Sequence, residues 1–129
     1  MAVQDLKHHE LTEKIIGCAM KVHRYFGIGF PEIVYKRALV IEFRKNGISF
    51  KEEVERPIVY EDTIIHKRRL DLLVEDIVLV ELKALKEVDK AEMNQVLNYL
   101  RIFKIEVGLL LNFGSPSLFF KRYVHSVIE

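Results

Sequence analysis

The sequence predicts an α/β domain in which a mixed central sheet is flanked by helices, in the order helix, helix, three or more antiparallel strands, helix, strand. Three observations predict it. Leu11 to Arg24 repeats apolar residues at helical spacing, through Leu11, Ile15, Cys18 or Ala19, and Val22. Arg69 to Lys83 reads as strand, turn, strand. Val107 to Phe113 is a continuous apolar run, the pattern of a strand covered on both faces, and it follows a helical segment, so a crossover can add it to the sheet.

Taken in order, the first helix ends at Gly27-Ile-Gly29. This G-x-G follows a helix rather than a strand and lacks a third glycine, so it reads as a helix-to-helix turn and not as a phosphate loop. His23, at the end of that helix, reads as structural, through a hydrogen bond or a favourable helix C-terminal position. Pro31 suits the first turn of a second helix, and Gly47 after Asn46 suits its end. Glu32, Tyr35, Leu39 and Phe43 share one face of it, which predicts that Glu32 and Tyr35 lie on the inward stripe.

Ile48 to Val54, Pro57 to Tyr60 and Thr63 to His66 are short and extended, with Glu61-Asp62 as a turn. They predict an antiparallel meander leading into the Arg69–Lys83 hairpin, with Pro57 at an edge or a bulge. Asp89-Lys-Ala-Glu92 is a capping arrangement for a third helix running to about Phe103. Its apolar stripe is Val96, Leu97 and Leu100, with Gln95 and Tyr99 on a neighbouring face. Ser115-Pro116 turns the chain into a last strand or extended edge from Leu118 to Val124. His66 receives no role.

Composition bounds the partners. With 129 residues, half of them apolar and 30% charged, the chain suits one compact soluble domain over residues 1–129. The apolar runs fall far short of the roughly 20 residues of a membrane span. Met1 to Glu10 carry charges and no hydrophobic stretch of the signal type, which predicts a cytoplasmic protein. The single cysteine, Cys18, excludes an internal disulfide and reads as core, with a reactive thiol as the alternative. A net charge of +1 provides no global basic field. Lys36-Arg37, Arg44-Lys45 and Lys121-Arg122 read as solvated surface. Lys67-Arg68-Arg69 leads directly into Asp71, where a phosphate backbone would pass.

The chemistry concentrates in the hairpin. Alternation along a strand puts Glu81 and Lys83 on one face and Leu82 on the other, two charges at the end of an otherwise apolar strand. A two-residue turn at Glu75-Asp76 would put Asp71 and Glu81 on opposite faces. An odd loop, Glu75-Asp76-Ile77, makes Val74 face Val78 and Asp71 face Glu81. Two carboxylates brought together suit a hard divalent cation, Mg²⁺ or Mn²⁺, which takes oxygen ligands, with Lys83 beside it.

Asp71, nine intervening residues, then Glu81-x-Lys83 resembles the signature of the PD-(D/E)xK nuclease superfamily. The stretch from Val22 to Leu39, with Gly29-Phe-Pro-Glu32-Ile-Val-Tyr35 at its centre, resembles the motif that names the GxxExxY family within that superfamily. The resemblance continues through Gln95-Val-Leu-Asn-Tyr99-Leu100 and Gly108 to Gly114, and covers about Ile15 to Val124. It departs at Ile28, where a proline is expected between the glycines.

The resemblance implies a restriction-endonuclease-like core and a metal-dependent nuclease acting on DNA more than RNA. In it Asp71 and Glu81 bind Mg²⁺ or Mn²⁺ with the Leu82 carbonyl as a further oxygen, and Lys83 positions water or balances charge. Glu32 and Gln95 complete the site, Tyr35 orders Glu32 or the core, and Tyr99 accompanies Gln95. Lys67, Arg68 and Arg69 would meet nucleic acid, and a homodimer or a partner protein would help grip a duplex. Two rivals stand beside it: a module that binds nucleic acid or protein without cutting, and a structural protein in which Asp71 and Lys83 form an ion pair. Fold resemblance constrains architecture more than activity.

Overall fold

The computed structural model describes residues 8–125. The reading of Met1 to Glu10 as lacking a signal stretch therefore rests mostly on residues outside the described ones. Helices α1 (His9–Phe26) and α2 (Glu32–Lys45) precede strands β1 (Phe50–Tyr60), β2 (Thr63–Val74) and β3 (Val78–Lys83). Helix α3 (Lys90–Phe103) and strands β4 (Val107–Asn112) and β5 (Phe119–Val124) follow. The strands form one five-stranded sheet in the order β1-β2-β3-β4-β5. It is mixed, because β4 pairs parallel to β3 through the α3 crossover while the other neighbours are antiparallel.

Two apolar layers enclose the sheet. On one face, Ile15, Ala19 and Val22 of α1 and Tyr35, Leu39 and Phe43 of α2 pack on Leu72, Val80, Leu82, Leu109 and Leu111. On the other, Val96, Tyr99 and Leu100 of α3 pack on Leu70, Leu79 and Leu110. All six residues of β4 are buried, as its unbroken apolar run requires of a strand covered on both sides. Leu97, assigned to the α3 stripe from the sequence, is instead exposed, and Met93 and Phe103 complete that stripe. The α3 capping box forms: Asp89 Oδ1 accepts from the Ala91 N–H at 2.9 Å, and Glu92 Oε1 accepts from the Asp89 N–H at 3.3 Å.

The meander expected between Ile48 and His66 is longer and simpler than the sequence suggests. Its separate short strands merge into β1 and β2, joined by Glu61-Asp62, both with positive φ. Left-handed backbone at both central residues matches the twist of a two-residue hairpin turn. Pro57 lies on β1, an edge strand of the sheet, and the register shifts just beyond it between Ile58 and Val59. Because β3 pairs only with Leu72, Leu73 and Val74 of β2, the distal halves of β1 and β2 form a two-stranded arm. Among the described residues no helix is long and apolar enough to cross a membrane.

Candidate active site

The β2–β3 loop is Glu75-Asp76-Ile77, closed by the Ile77 N–H donating to the Val74 carbonyl at 2.9 Å. Glu75 and Asp76 take left-handed backbone, and Val74 pairs with Val78. Carried on from Leu73–Leu79 and Leu72–Val80, this register brings Asp71 opposite Glu81.

The main-chain pairing nevertheless stops at Leu72–Val80, and beyond it side chains join the two strands. The Asp71 N–H donates to Glu81 Oε1 at 3.2 Å, and the Leu82 N–H donates to Asp71 Oδ2 at 2.9 Å. Each carboxylate thus takes a main-chain donor of the opposite strand, as a ladder carbonyl would. The other side of Asp71 is irregular too. Glu53, which would pair with it on β1, has φ of 51° and drops out of the register. Leu70 and Leu72, two apart on one strand, consequently pack on opposite layers of the molecule. Asp71 sits where the sheet opens on both flanks, a departure that simple alternation does not foresee.

Glu81 is only 5% exposed. Burial raises its pKa to about 8, helped by the negative charge of Asp71 and opposed by the Asp71 N–H and by Lys83. Lys83 lies two residues on, half-buried, and its carbonyl accepts from the Phe113 N–H at 2.9 Å. The segment after it is fixed by Asn112, whose Oδ1 accepts from the Leu85 N–H at 2.8 Å and whose Nδ2 donates to the Leu85 carbonyl at 2.9 Å. The resemblance over Gly108 to Gly114 includes Asn112, but the sequence reading gave it no role. Its signal is a polar residue closing a wholly apolar strand.

Glu32, at the first turn of α2, is exposed as a residue, in contrast to the inward position expected. Partial burial nevertheless raises its pKa, with the charge of Asp71 adding and Lys83 and Lys36 opposing. It therefore lies within electrostatic range of the hairpin site. Among the described residues, no three His, Cys, Asp or Glu side chains gather into a metal-binding group, so Glu32 does not join Asp71 and Glu81 as a third close ligand.

Tyr35 does not reach Glu32. Fully buried and stacked on Phe113 at 4.7 Å, it donates its hydroxyl proton to the Gly27 carbonyl at 2.6 Å and accepts from the Phe30 N–H at 3.3 Å. It fastens the turn that delivers Glu32. His23 is structural as expected, its Nε2 donating to the Ser115 carbonyl at 2.9 Å. Gln95 Nε2 donates to Tyr99 Oη at 3.0 Å, so its hydrogen bond goes along α3.

The basic residues before Asp71 divide. Lys67 pairs with Glu55 at 3.6 Å and Arg69 with Glu53 at 4.0 Å, all exposed. Arg68 is half-buried, and its Nε donates to Tyr99 Oη at 2.5 Å. Lys36, expected on a solvated surface, is 6% exposed, with Nζ 3.6 Å from Glu53.

The donor set fits a hard divalent cation. Asp71 and Glu81 offer oxygens only, and burial beside Asp71 holds a proton on Glu81 that a cation could replace.

Fold and geometry define a class: a mixed α/β domain whose opened central strands hold an acidic pair and a lysine. The chain belongs to the PD-(D/E)XK nuclease superfamily, whose family model matches residues 9–123. The mixed sheet and the three helices of the described residues agree with a restriction-endonuclease-like core. Among solved structures the chain is similar to one described as "Crystal structure of SSO0001", at 18% identity and a TM-score of 0.55, over 97% of this chain. It spans 63% of that structure's length, and the likeness is one of fold. No curated protein matches the chain.

Proposed function

We propose that this chain is a metal-dependent nuclease of the GxxExxY branch, a single nuclease-like domain that hydrolyses phosphodiester bonds in the cytoplasm, of DNA in preference to RNA. The observation that carries the reading is the reciprocal bonding of Asp71 and Glu81 across the end of the β2–β3 pairing, with Lys83 two residues on. Gly29-x-x-Glu32-x-x-Tyr35 supports the branch.

In this reading Asp71, Glu81 and the Leu82 carbonyl hold Mg²⁺ or Mn²⁺, with Glu32 acting on the site from the start of α2 at longer range than the close ligands. When bound, such a cation lowers the pKa of a coordinated water and stabilises negative charge on a phosphate. Lys83 supplies a positive charge beside the carboxylates, to orient the attacking water or balance charge on the phosphate oxygens. Tyr35 holds the turn before Glu32. Gln95 and Tyr99 keep Arg68 in place.

Titration calorimetry of Mg²⁺ or Mn²⁺ into the wild type and into Asp71→Ala, paired with cleavage assays on single- and double-stranded oligonucleotides, tests the reading. Binding should vanish with Asp71→Ala. Lys83→Ala should cut cleavage at least 100-fold while leaving the melting temperature within 2 °C or so, as a loss confined to charge stabilisation predicts. A wild type that binds nucleic acid but never cleaves it, with or without metal, would make the chain a binding module on the same fold.

A further inference from the structure

The β1–β2 arm pairs its charges differently on its two faces. On one, Glu55 stands opposite Arg69 and its carboxylate also meets Lys67, so basic residues there face carboxylates. On the other, Arg56 stands directly opposite Arg68. Among the described residues neither of these arginines forms an ion pair. Arg56 makes one long bond, from Nη1 to the carbonyl of its neighbour Glu55 at 3.5 Å. Like charges directly across an antiparallel pair destabilise it, so this face carries an unfavourable pair that one bound anion would turn favourable.

The pair is also aimed. Arg68 and Leu70 share a face of β2, and Leu70 packs with Tyr99, Val96 and Leu79 beneath α3. Leu79, Glu81 and Lys83 alternate onto that same face of β3. Arg68 is held in place, its Nε on Tyr99 Oη and its guanidinium carbon 5.4 Å from the Tyr99 ring centre, while Gln95 Nε2 donates to the same hydroxyl. That bond occupies Nε and leaves the outer nitrogens to make further contacts. Both arginines are half-buried, so an anion between them would be partly shielded from solvent.

We propose that Arg56 and Arg68 form a seat for a backbone phosphate of nucleic acid on the α3 face of the sheet, holding the strand beside Glu81 and Lys83. Planar guanidinium groups grip phosphate oxygens in pairs, which a lysine ammonium does not. The inference rests on the nuclease reading and adds Arg56, which lies outside the Lys67–Arg69 run, as a binding residue. It also separates Arg68 from Lys67 and Arg69, which face the other way.

Fluorescence anisotropy with labelled single- and double-stranded oligonucleotides, in chelator so that no cleavage occurs, tests it on wild type, Arg56→Ala, Arg56→Lys and the distant Lys45→Ala. Arg56→Ala should weaken binding about fivefold or more whatever the sequence, and reduce the slope of log affinity against log salt by about one. Arg56→Lys should keep the slope and lose part of the affinity, and Lys45→Ala should match the wild type. Removing one of two repelling charges should leave the melting temperature unchanged or raised, so weaker binding could not be blamed on unfolding. Equal affinity and slope in Arg56→Ala and the wild type would overturn the seat, as would inorganic phosphate competing as well, phosphate for phosphate, as the oligonucleotide. In a parallel cleavage assay with Mg²⁺, cleavage by the wild type together with binding indifferent to Arg56→Ala would sink the seat and spare the nuclease. Arg56-dependent binding with no cleavage in Mg²⁺ would do the reverse; no binding by the wild type would sink the seat, and with no cleavage in Mg²⁺ it would sink both.

Discussion

At the scale of single residues, the site is a balance of carboxylates and one shielded proton. The Glu81 pKa of about 8 stands above its ordinary 4.5, so the folded chain keeps the proton more tightly than the unfolded chain does. Between those two values the unfolded state has lost the proton and the folded state has not, so stability falls as pH rises through that window. Glu81→Gln keeps an oxygen to accept from the Asp71 N–H and removes the ionisation. In metal-free buffer it should match the wild type near pH 4.5 and exceed it by on the order of 1–3 kcal/mol near pH 8, read as a rising difference in melting temperature. A difference that does not change with pH would refute the assignment. The sequence made Asp71, Glu81 and Lys83 visible because charges on apolar strands need a reason. It left the role of Tyr35 open, since a helical period shows which face a hydroxyl lies on and not that it reaches back to Gly27 and Phe30. Lys36 was misread for a related reason: its neighbour Glu53 arrives from another element through an irregular backbone position.

At the scale of elements, the helices and the β2–β3 loop were legible because local chemistry writes them. The positive φ of Glu75 and Asp76, the Asp89–Glu92 cap and the apolar period of α1 all depend on residues near in sequence. The merging of short strands into β1 and β2 was not, because cross-strand pairing over ten residue pairs overrides the breaks that Pro57 and the charged residues suggest. The connection after β3 depends on a close approach. A Cβ on Gly114 would lie 2.3 Å from the Leu85 carbonyl oxygen and 2.5 Å from its nitrogen, both main-chain atoms that cannot swing aside. Gly114→Ala should therefore cost about 2 kcal/mol or more, measured by denaturant unfolding, and should lower cleavage further because the segment shifted is the one leaving Lys83. A stability equal to wild type would mean that this segment has room the structure does not show.

At the scale of the whole molecule, stability is unevenly spread. Strands β3 and β4 lie between two packed layers, whereas the distal arm is covered by few apolar contacts, with Val59, Tyr60, Ile64 and Ile65 all more than half exposed. Amide hydrogen exchange should give β3 and β4 protection near that of global unfolding and the arm far less, through local opening. Uniform protection along β1 and β2 would show the arm to be part of the cooperative core. A less protected arm can adjust to a strand laid across it without disturbing the site behind it. The sequence by itself determined the order of elements, the inner strands and the three charged residues of the hairpin, because apolar periodicity, turn chemistry and charge on an apolar strand are local signals. Only the tertiary structure decided that pairing stops at Leu72 and Val80, that Glu32 stays outside a three-carboxylate cluster, and that Arg56 faces Arg68. Those facts depend on register and irregularity between segments distant in the chain, which no periodicity within one segment records.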